Sequence, residues 1–224
     1  MYKNNSISII IPCYNEEMAI KSVLHEIPSY IDEVIVVDNN SADKTAEYAS
    51  SCGAEIVYED RRGYGFAFRK GLHRARCKII ATFDGDGTYS FSELRKLLEH
   101  LISNDLDFVI GDRLTYLDRA SMKKLNYIGN LILSFILRVL YRCNIKDSQS
   151  GMWVAKNSIL KEMKLISGGM SLSEEIKIRV ITRPFAKFKE IPINYERRMG
   201  KSKLNIWFDG IKNILFLFTL RLKI

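Results

Sequence analysis

The sequence lacks any long run of uncharged apolar residues. Its longest apolar stretches, residues 125–137 and 214–220, fall short of the roughly 18 residues that a helix needs to span a bilayer. Its four cysteines are widely spaced and form no Cys-x-x-Cys pair, so neither a disulfide framework nor a zinc ribbon is expected. The three histidines each stand without a second ligand nearby, which argues against a histidine metal site.

Flexible linkers, repeats and low-complexity tracts are also missing, which favours one compact domain. Of the 224 residues, 47% are hydrophobic and 27% are charged, a balance that excludes wholesale disorder. The charge is unevenly spread. Residues 1–112 contain 12 Lys and Arg against 18 Asp and Glu, whereas residues 113–224 contain 22 against 8. An acidic half can hold a cation, and a basic half suits phosphates, nucleic acid or anionic lipid.

Short β-branched runs alternate with helical patterns through the first half of the chain. The expected strands are 7–12, 33–38, 54–59, 78–84, 107–111, 152–155 and 187–196. The expected helices are 16–27, 43–52, 65–76, 91–103, 121–142, 157–165, 171–182 and 204–224. Ser90 and Glu93 have the spacing of a capping box and open the helix at 91–103. This alternation predicts a single α/β domain with a mostly parallel central sheet and helices on both faces. Such sheets bind their ligands at the carboxyl ends of the strands.

The strongest local signal is an Asp-Gly-Asp turn that follows the strand at 78–84. Asp84 and Asp86 stand two residues apart, so on an extended chain both carboxylates point to one side and can converge on a hard divalent cation. A calcium loop of the EF-hand type is excluded, because its sixth position is Tyr89 instead of glycine and its twelfth is Arg95 instead of glutamate.

Two polar loops follow the first and second strands. The first contains Asn15, which has the position and chemistry of a helix N-cap, and Glu16. The second begins at Asp38, which helix capping leaves unexplained. If the two strands are neighbours, the loops lie side by side, and a carboxylate there can bind a base N–H or ribose hydroxyls.

Two glycine-containing segments resemble phosphate-binding motifs and fail the test. Residues 61–67 lack the third glycine of a dinucleotide fingerprint and do not follow the first strand. Gly200-Lys201-Ser202 has the tail of a P-loop, but Tyr195 stands where the first glycine is required. Residues 197–203 nevertheless form a dense cationic loop that suits phosphate.

In combination, these motifs resemble glycosyltransferase family 2. The matching blocks are Pro12-x-Tyr14-Asn15-Glu16, Asp38-x-x-Ser41-x-Asp43-x-Thr45, Asp84-Gly85-Asp86 and Gly111-x-Arg113. The later blocks, beginning at Asp147 and at Tyr195, resemble the polyprenyl-phosphate branch, whose members include dolichol-phosphate mannose and glucose synthases. The resemblance covers nearly the whole chain and implies a GT-A (Rossmann-like) fold. One departure is Thr88, which stands where the mannose synthases commonly have glutamine.

The resemblance also implies roles for individual residues. Those implied to bind the nucleotide sugar are Pro12, Tyr14, Asn15, Glu16, Asp38, Gly65, Asp84 and Asp86. Those implied to bind phosphate or the acceptor are Arg113, Asp147, Gln149, Arg198, Ser202 and Lys203. Those implied to be catalytic are Asp86, Arg113 and Glu174. Asp84 and Asp86 would be the ligands of Mg²⁺ or Mn²⁺.

The implied reaction is an inverting transfer of a sugar from a UDP- or GDP-linked donor to a polyprenyl phosphate, dolichyl or undecaprenyl. A soluble or glycan hydroxyl is the alternative acceptor, and it would need Glu174 as general base. A nucleotidyltransferase is a competing enzyme class, but it needs a basic glycine-rich loop after the first strand, where this chain is acidic. A basic lipid- or nucleic-acid-binding module without catalysis is the alternative of another class, and it leaves the aspartate pair unexplained. We therefore expect no nucleic-acid partner, and the oligomeric state stays open.

The two apolar stretches are both flanked by Lys and Arg, a pattern typical of helices in a bilayer interface. We expect a glycosyltransferase domain at 1–203 and a C-terminal amphipathic helix at 204–224, which is interfacial or packed on the domain. The expected location is peripheral, on the cytoplasmic face of a membrane.

Overall fold

Seven strands form one sheet at the centre of the computed structural model, which describes residues 1–118, 120–203 and 205–223. The strands are β1 (Ile7–Cys13), β2 (Glu33–Asp38), β3 (Glu55–Tyr58), β4 (Ile79–Thr82), β5 (Phe108–Asp112), β6 (Trp153–Lys156) and β7 (Phe188–Pro192). Their order is β3-β2-β1-β4-β6-β5-β7. Among these strands β6 alone runs against its neighbours, β4 and β5. The predicted mostly parallel α/β sheet is confirmed.

Both faces of the sheet are covered, which explains why its strands are nearly continuous in apolar residues. The helices are α1 (Ile20–His25), α2 (Thr45–Ser51), α3 (Tyr64–Arg74), α4 (Phe91–Ser103), α5 (Lys124–Tyr141), α6 (Asn157–Lys161), α7 (Leu172–Ile181) and α8 (Ile206–Arg221). Ile9 on β1 packs in the core on the side of α1, α2 and α4, whereas Ile10 packs on the side of α3 and α5–α8. Successive residues of one strand therefore stabilise opposite layers.

Two residues, Ser90 and Asn15, were predicted to cap the N-termini of helices. Ser90 caps α4 by accepting a hydrogen bond from the backbone N–H of Glu93, as its spacing predicts. Asn15 is not the cap of α1, which begins only at Ile20. Asn15 instead has a left-handed backbone with φ of 54°, and its side-chain oxygen accepts from the backbone N–H of Ala42. That prediction was wrong because the amide is used between two loops.

Helices α5 and α8 pack against each other on one flank of the sheet. Leu137 and Leu217 are fully buried between them, and the Tyr141 hydroxyl donates to the carbonyl of Leu217 at 2.8 Å. Of the predicted helix 204–224, residues Leu204 and Ile224 lie outside the described residues. Within the part of the chain that the structure describes, no helix is both long and apolar enough to cross a membrane.

Candidate active site

The loops after β1 and β2 interlock at the carboxyl ends of these neighbouring parallel strands. The backbone N–H of Asn15 donates to the Ser41 hydroxyl at 3.0 Å, and that of Glu16 donates to the Thr45 hydroxyl at 2.8 Å. The predicted adjacency of the two loops is therefore observed. It fixes the backbone beside Asp38.

Asp38 ends β2 and has one carboxylate oxygen free for a ligand. Its Oδ2 accepts from the backbone N–H of Ser41 at 3.2 Å. Its Oδ1 is buried and has no hydrogen-bond partner within the described residues. A buried acceptor without a donor is costly unless a bound group supplies one, so Asp38 fits the binding of a ribose hydroxyl or a base N–H.

Asn39, the next residue, is a site-building residue that motif reasoning missed. Its side-chain amide donates to the carbonyls of Glu59 and Arg61 at 2.9 and 2.7 Å and accepts from the Gly63 N–H at 2.7 Å. It thereby ties the 59–63 segment to the end of β2. An asparagine directly after a strand is the one signal that the sequence offered.

The 61–66 segment lies beside Tyr14 of the loop that follows β1. The Arg62 guanidinium lies 4.7 Å from the ring centroid of Tyr14. Gly65 lies in the first turn of α3 and packs against the loop that precedes α7. A Cβ on this residue would lie 2.5 Å from the carbonyl oxygen of Ser167. Gly65 therefore allows the two backbone segments to pack closely. Pro12, another residue predicted to bind the nucleotide sugar, lies in β1 and is paired with Val37 of β2.

Asp84 and Asp86 leave β4 in the turn next to these loops. The Oδ1 of Asp86 accepts from the Thr88 N–H at 3.1 Å and from the Thr88 hydroxyl at 2.6 Å. Thr88 thus orients Asp86 from the position where the related synthases carry glutamine. The carboxylate of Asp84 lies against Gly151, where a Cβ would come within 3.0 Å of Oδ2. Burial, followed by the charge of Asp86, raises the pKa of Asp84 well above its ordinary value.

The aspartate pair fits a divalent cation by its donor chemistry. Both groups offer hard carboxylate oxygens, and no hydrogen bond occupies Asp84 within the described residues. Burial and then the charge of Asp86 raise the pKa of Asp84, and a bound cation would stabilise its ionised form against both. No cluster of three or more His, Cys, Asp or Glu ligands exists in the described chain, so the remaining ligands would be donor phosphate and water.

The basic loop, residues 195–203, lies directly over this turn. Arg198 is paired through Nη1 with Asp86 Oδ2 at 2.5 Å and through Nη2 with Glu16. Lys203 is 2.8 Å from Glu16 Oε1, and its Nζ also donates to the carbonyl of Asn15 at 2.5 Å. The structure therefore brings predicted phosphate-binding and nucleotide-binding residues into contact. Ser202 is exposed in the same loop.

Arg113 and Asp147 form a buried ion pair, and the charge of Arg113 acts on Asp84. The Arg113 Nε and Nη2 donate to the two carboxylate oxygens at 2.7 and 2.8 Å, and Asn130 of α5 adds a bond of 2.7 Å. Burial would raise the pKa of Asp147, but the charge and hydrogen bonds of Arg113 outweigh it and lower the pKa to about 2. Asp147 is thus engaged in holding Arg113, and this pairing across 34 residues carried no sequence signal.

Glu174 lies on α7, near Lys177 of the same helix and Gln149 of the 147–151 turn. It is fully buried, and neither carboxylate oxygen has a hydrogen-bond partner within the described residues. Gln149 is close by, but its amide nitrogen donates to the Ser148 hydroxyl and its oxygen accepts from Asn213. Burial raises the pKa of Glu174 to about 8. At neutral pH this carboxyl group therefore keeps its proton.

Lys177, one turn later on α7, is a buried cation that the sequence did not single out. Its Nζ donates to the carbonyls of Ser148 and Ser150 at 2.6 and 2.8 Å and to the Ser173 hydroxyl at 3.0 Å. It thereby holds the 147–151 turn, whose Gly151 backs Asp84. A lysine in a helical pattern ordinarily points to solvent, so nothing in the sequence marked it.

Comparisons with known proteins agree with this arrangement. The model of the family described as "Glycosyl transferase family 2" matches residues 8–164. A "Dolichyl-phosphate hexose transferase" of Haloferax volcanii is 32% identical over 93% of this chain and 91% of its own length. A "Low-salt glycan biosynthesis hexosyltransferase" of the same organism is also 32% identical over 95% of this chain, which spans about half (53%) of that relative's length.

The solved structures show the same fold. Glucosyl-3-phosphoglycerate synthase from Mycobacterium tuberculosis, crystallised with Mn²⁺, UDP and phosphoglyceric acid, superposes with a TM-score of 0.78. The match covers 97% of this chain and 78% of that protein at 19% sequence identity. The sequence of this chain thus matches the family, and its sheet and loops match the fold of the solved structure. The chain belongs to glycosyltransferase family 2 and has the GT-A fold.

Proposed function

We propose that this enzyme transfers a sugar from a UDP- or GDP-linked donor to a polyprenyl phosphate, with inversion at the anomeric carbon. A dolichyl-phosphate hexose transferase and a UDP-N-acetylglucosamine–dolichyl-phosphate N-acetylglucosaminyltransferase are among its relatives, at 32% and 31% identity. The fold neighbour crystallised with Mn²⁺ and UDP supports a metal-assisted nucleotide-sugar donor. Family membership leaves the nucleotidyltransferase and the non-catalytic binding module without support.

One observation carries the choice of acceptor: the site offers several cations, and the two carboxylates expected at the acceptor or as its general base, Asp147 and Glu174, are not available as bases. Asp147 is paired with Arg113, and Glu174 keeps its proton at neutral pH. A hydroxyl acceptor must lose a proton as it attacks, whereas an acceptor phosphate is already anionic. The site therefore supports the phosphate over the hydroxyl.

The residues then act through binding and electrostatics. Asp38 accepts a hydrogen bond from the donor nucleoside, and Arg113, Arg198 and Lys203 offset the negative charge of donor and acceptor phosphates. Asp84 and Asp86 would hold Mg²⁺ or Mn²⁺, which when bound supplies Lewis-acid stabilisation of the departing diphosphate. Placement of the acceptor oxygen opposite the leaving group makes the transfer a single displacement, which inverts the sugar carbon.

A membrane surface is the proposed site of action, because α5 and α8 pack against each other and each exposes an apolar face. The residues of these faces, each between 39% and 73% exposed, are Leu125, Ile128, Leu131, Ile132, Phe135, Val139, Trp207, Phe208, Ile211, Leu215 and Phe218. Basic residues border them, among them Lys124, Lys212, Arg221 and Lys223. We commit to an anionic bilayer as the partner, since apolar contact and basic charge are its two complementary features. We therefore propose that the enzyme acts at the cytoplasmic membrane face, beside a lipid acceptor.

Vesicle flotation with surface variants tests the membrane proposal. Deletion of the C-terminal helix is unsuitable because Leu217 and Leu220 belong to the core. We expect Phe135→Ser combined with Phe218→Ser to reduce flotation on anionic vesicles. Phe185→Ser, at a 99% exposed position in the loop between α7 and β7, should leave flotation unchanged. Equal flotation of wild type and the double variant would contradict the proposal.

A donor panel tests the reaction itself. UDP-, GDP- and dTDP-sugars are incubated with Mn²⁺, the enzyme and a polyprenyl phosphate in anionic vesicles, and lipid-linked sugar is measured by mass spectrometry. We expect a glycosyl phosphate lipid from at least one donor and none with Asp86→Asn. Transfer to soluble sugars alone, with the lipid untouched, would favour the hydroxyl acceptor instead.

A further inference from the structure

The basic loop is pinned onto the aspartate turn by its backbone as well as by its charges. The N–H of Glu196 donates to the carbonyl of Thr88 and that of Met199 to the carbonyl of Asp86, both at 2.9 Å. The Met199 side chain covers Gly87 so closely that a Cβ there would lie 2.5 Å from its Cε. The loop therefore closes over the carboxylates that the proposed function assigns to a cation.

Arg198 is paired with the carboxylate oxygen of Asp86 that a cation would need as a ligand. Asp86 Oδ1 is already bonded twice by Thr88, which leaves Oδ2 as the oxygen directed at the site. The Arg198 Nη1 lies 2.5 Å from that Oδ2, and Nη2 pairs with Glu16. The guanidinium is only 27% exposed, and its Nε is buried without a partner in the described chain.

We propose that Arg198 is a resident counter-ion of Asp86, and that entry of a divalent cation requires it to leave and the basic loop to open. A guanidinium and a divalent cation cannot share one carboxylate oxygen at bonding distance without strong repulsion. Once Arg198 leaves Asp86, its backbone neighbours lose the pairing that holds them on the turn. Gly200 has a φ of 78°, and no atom of the described residues lies within 4 Å of the place where its Cβ would be. This glycine gives the loop a point at which to bend.

This inference rests on the metal use in the proposed function. It predicts that a substitution in the site increases the affinity for the metal. Removing Arg198 removes the competitor, so the variant should bind Mn²⁺ alone more tightly than wild type does. The loss of one charge-assisted pair corresponds to an effect on the order of tenfold in affinity. A substitution that merely damaged the site would weaken binding.

Electron paramagnetic resonance of free Mn²⁺, without nucleotide, measures this affinity. We expect Arg198→Ala to lower the dissociation constant about tenfold. Arg197→Ala is the matched control, because Arg197 is exposed in the same loop and should leave the constant unchanged. Unchanged or weaker Mn²⁺ binding by Arg198→Ala would overturn the counter-ion role while leaving the proposed function intact. No Mn²⁺ binding by any form, even with UDP present, would overturn both.

Hydrogen exchange of the wild type gives a second test that needs no variant. Addition of Mn²⁺ alone should speed exchange at the amides of Glu196 and Met199, which are the two that bond the turn. The amide of Ile193, which donates to the carbonyl of Asp112 at 2.9 Å, serves as the internal control and should not change. Stronger protection of the Glu196 and Met199 amides on Mn²⁺ binding would show that the loop closes on the cation, and the proposal would be wrong.

Discussion

Replacing Glu174 by glutamine should stabilise the protein, and more so as the pH rises. Glu174 is fully buried, neither oxygen is hydrogen-bonded in the described structure, and burial raises its pKa from 4.5 to about 8. Between these two values the folded protein binds a proton that the unfolded chain has released. Stability therefore falls as the pH rises through this window. Glutamine removes this titration and keeps nearly the same shape.

The size of the effect follows from the width of the window. Each pH unit between the two pKa values costs the wild type about 1.4 kcal/mol relative to the variant. From pH 5.5 to pH 7.0, the variant should therefore gain about 2 kcal/mol on the wild type. The neighbouring Lys177, whose pKa is lowered to about 8 mainly by burial, titrates above this range and should leave the difference unaffected.

Urea unfolding of both proteins at several pH values between 5.5 and 7.0 measures the difference directly. Glu26→Gln, at an exposed position, is the control and should show no such trend. If the difference between Glu174→Gln and wild type stays flat with pH, Glu174 is ionised in the folded protein. It would then be available as a base, and the argument for a phosphate acceptor would lose its main support.

Three further predictions concern charged residues of the candidate active site. Asp86→Ala should lower turnover by a factor of about 100 or more without unfolding the protein, and a chelator should lower the turnover of the wild type in the same way; full activity in excess EDTA would contradict this. Lys203→Ala should raise the donor KM about fivefold, worth about 1 kcal/mol for a partly exposed charge, whereas Lys201→Ala in initial-rate assays should not. Arg113→Met should destabilise the fold by about 3–5 kcal/mol in urea unfolding, because it leaves Asp147 buried and unpaired; a loss below 1 kcal/mol would refute that reasoning.

The local elements were predictable because their signals are short-range. The apolar run at 7–12 predicts a strand covered on both faces, and the structure buries the strand Ile7–Cys13 in this way. The capping pattern of Ser90 needs only three residues, and it was confirmed. The adjacency of the loops after β1 and β2 followed from one assumption, that consecutive parallel strands are neighbours.

Partners distant in the chain were not predictable from one sequence. Arg198 meets Asp86 across 112 residues, and Arg113 meets Asp147 across 34. The place of β6 between β4 and β5 depends on the same long-range packing. Asn15 was misassigned as a helix cap for a related reason. Its side chain bonds the neighbouring loop, and tertiary contact decided between two roles that the residue type allows equally.

The proposed phosphate acceptor is tested most directly by comparing two lipids that differ only in the phosphate. A short polyprenyl phosphate and the corresponding polyprenol are presented in the same anionic vesicles with the active donor and Mn²⁺, and the lipid product is quantified together with its anomeric configuration. We expect sugar transfer, with inversion, to the polyprenyl phosphate and none to the polyprenol, since neither Asp147 nor Glu174 is available to deprotonate a hydroxyl. Equal transfer to both lipids, or transfer to the polyprenol alone, would contradict it.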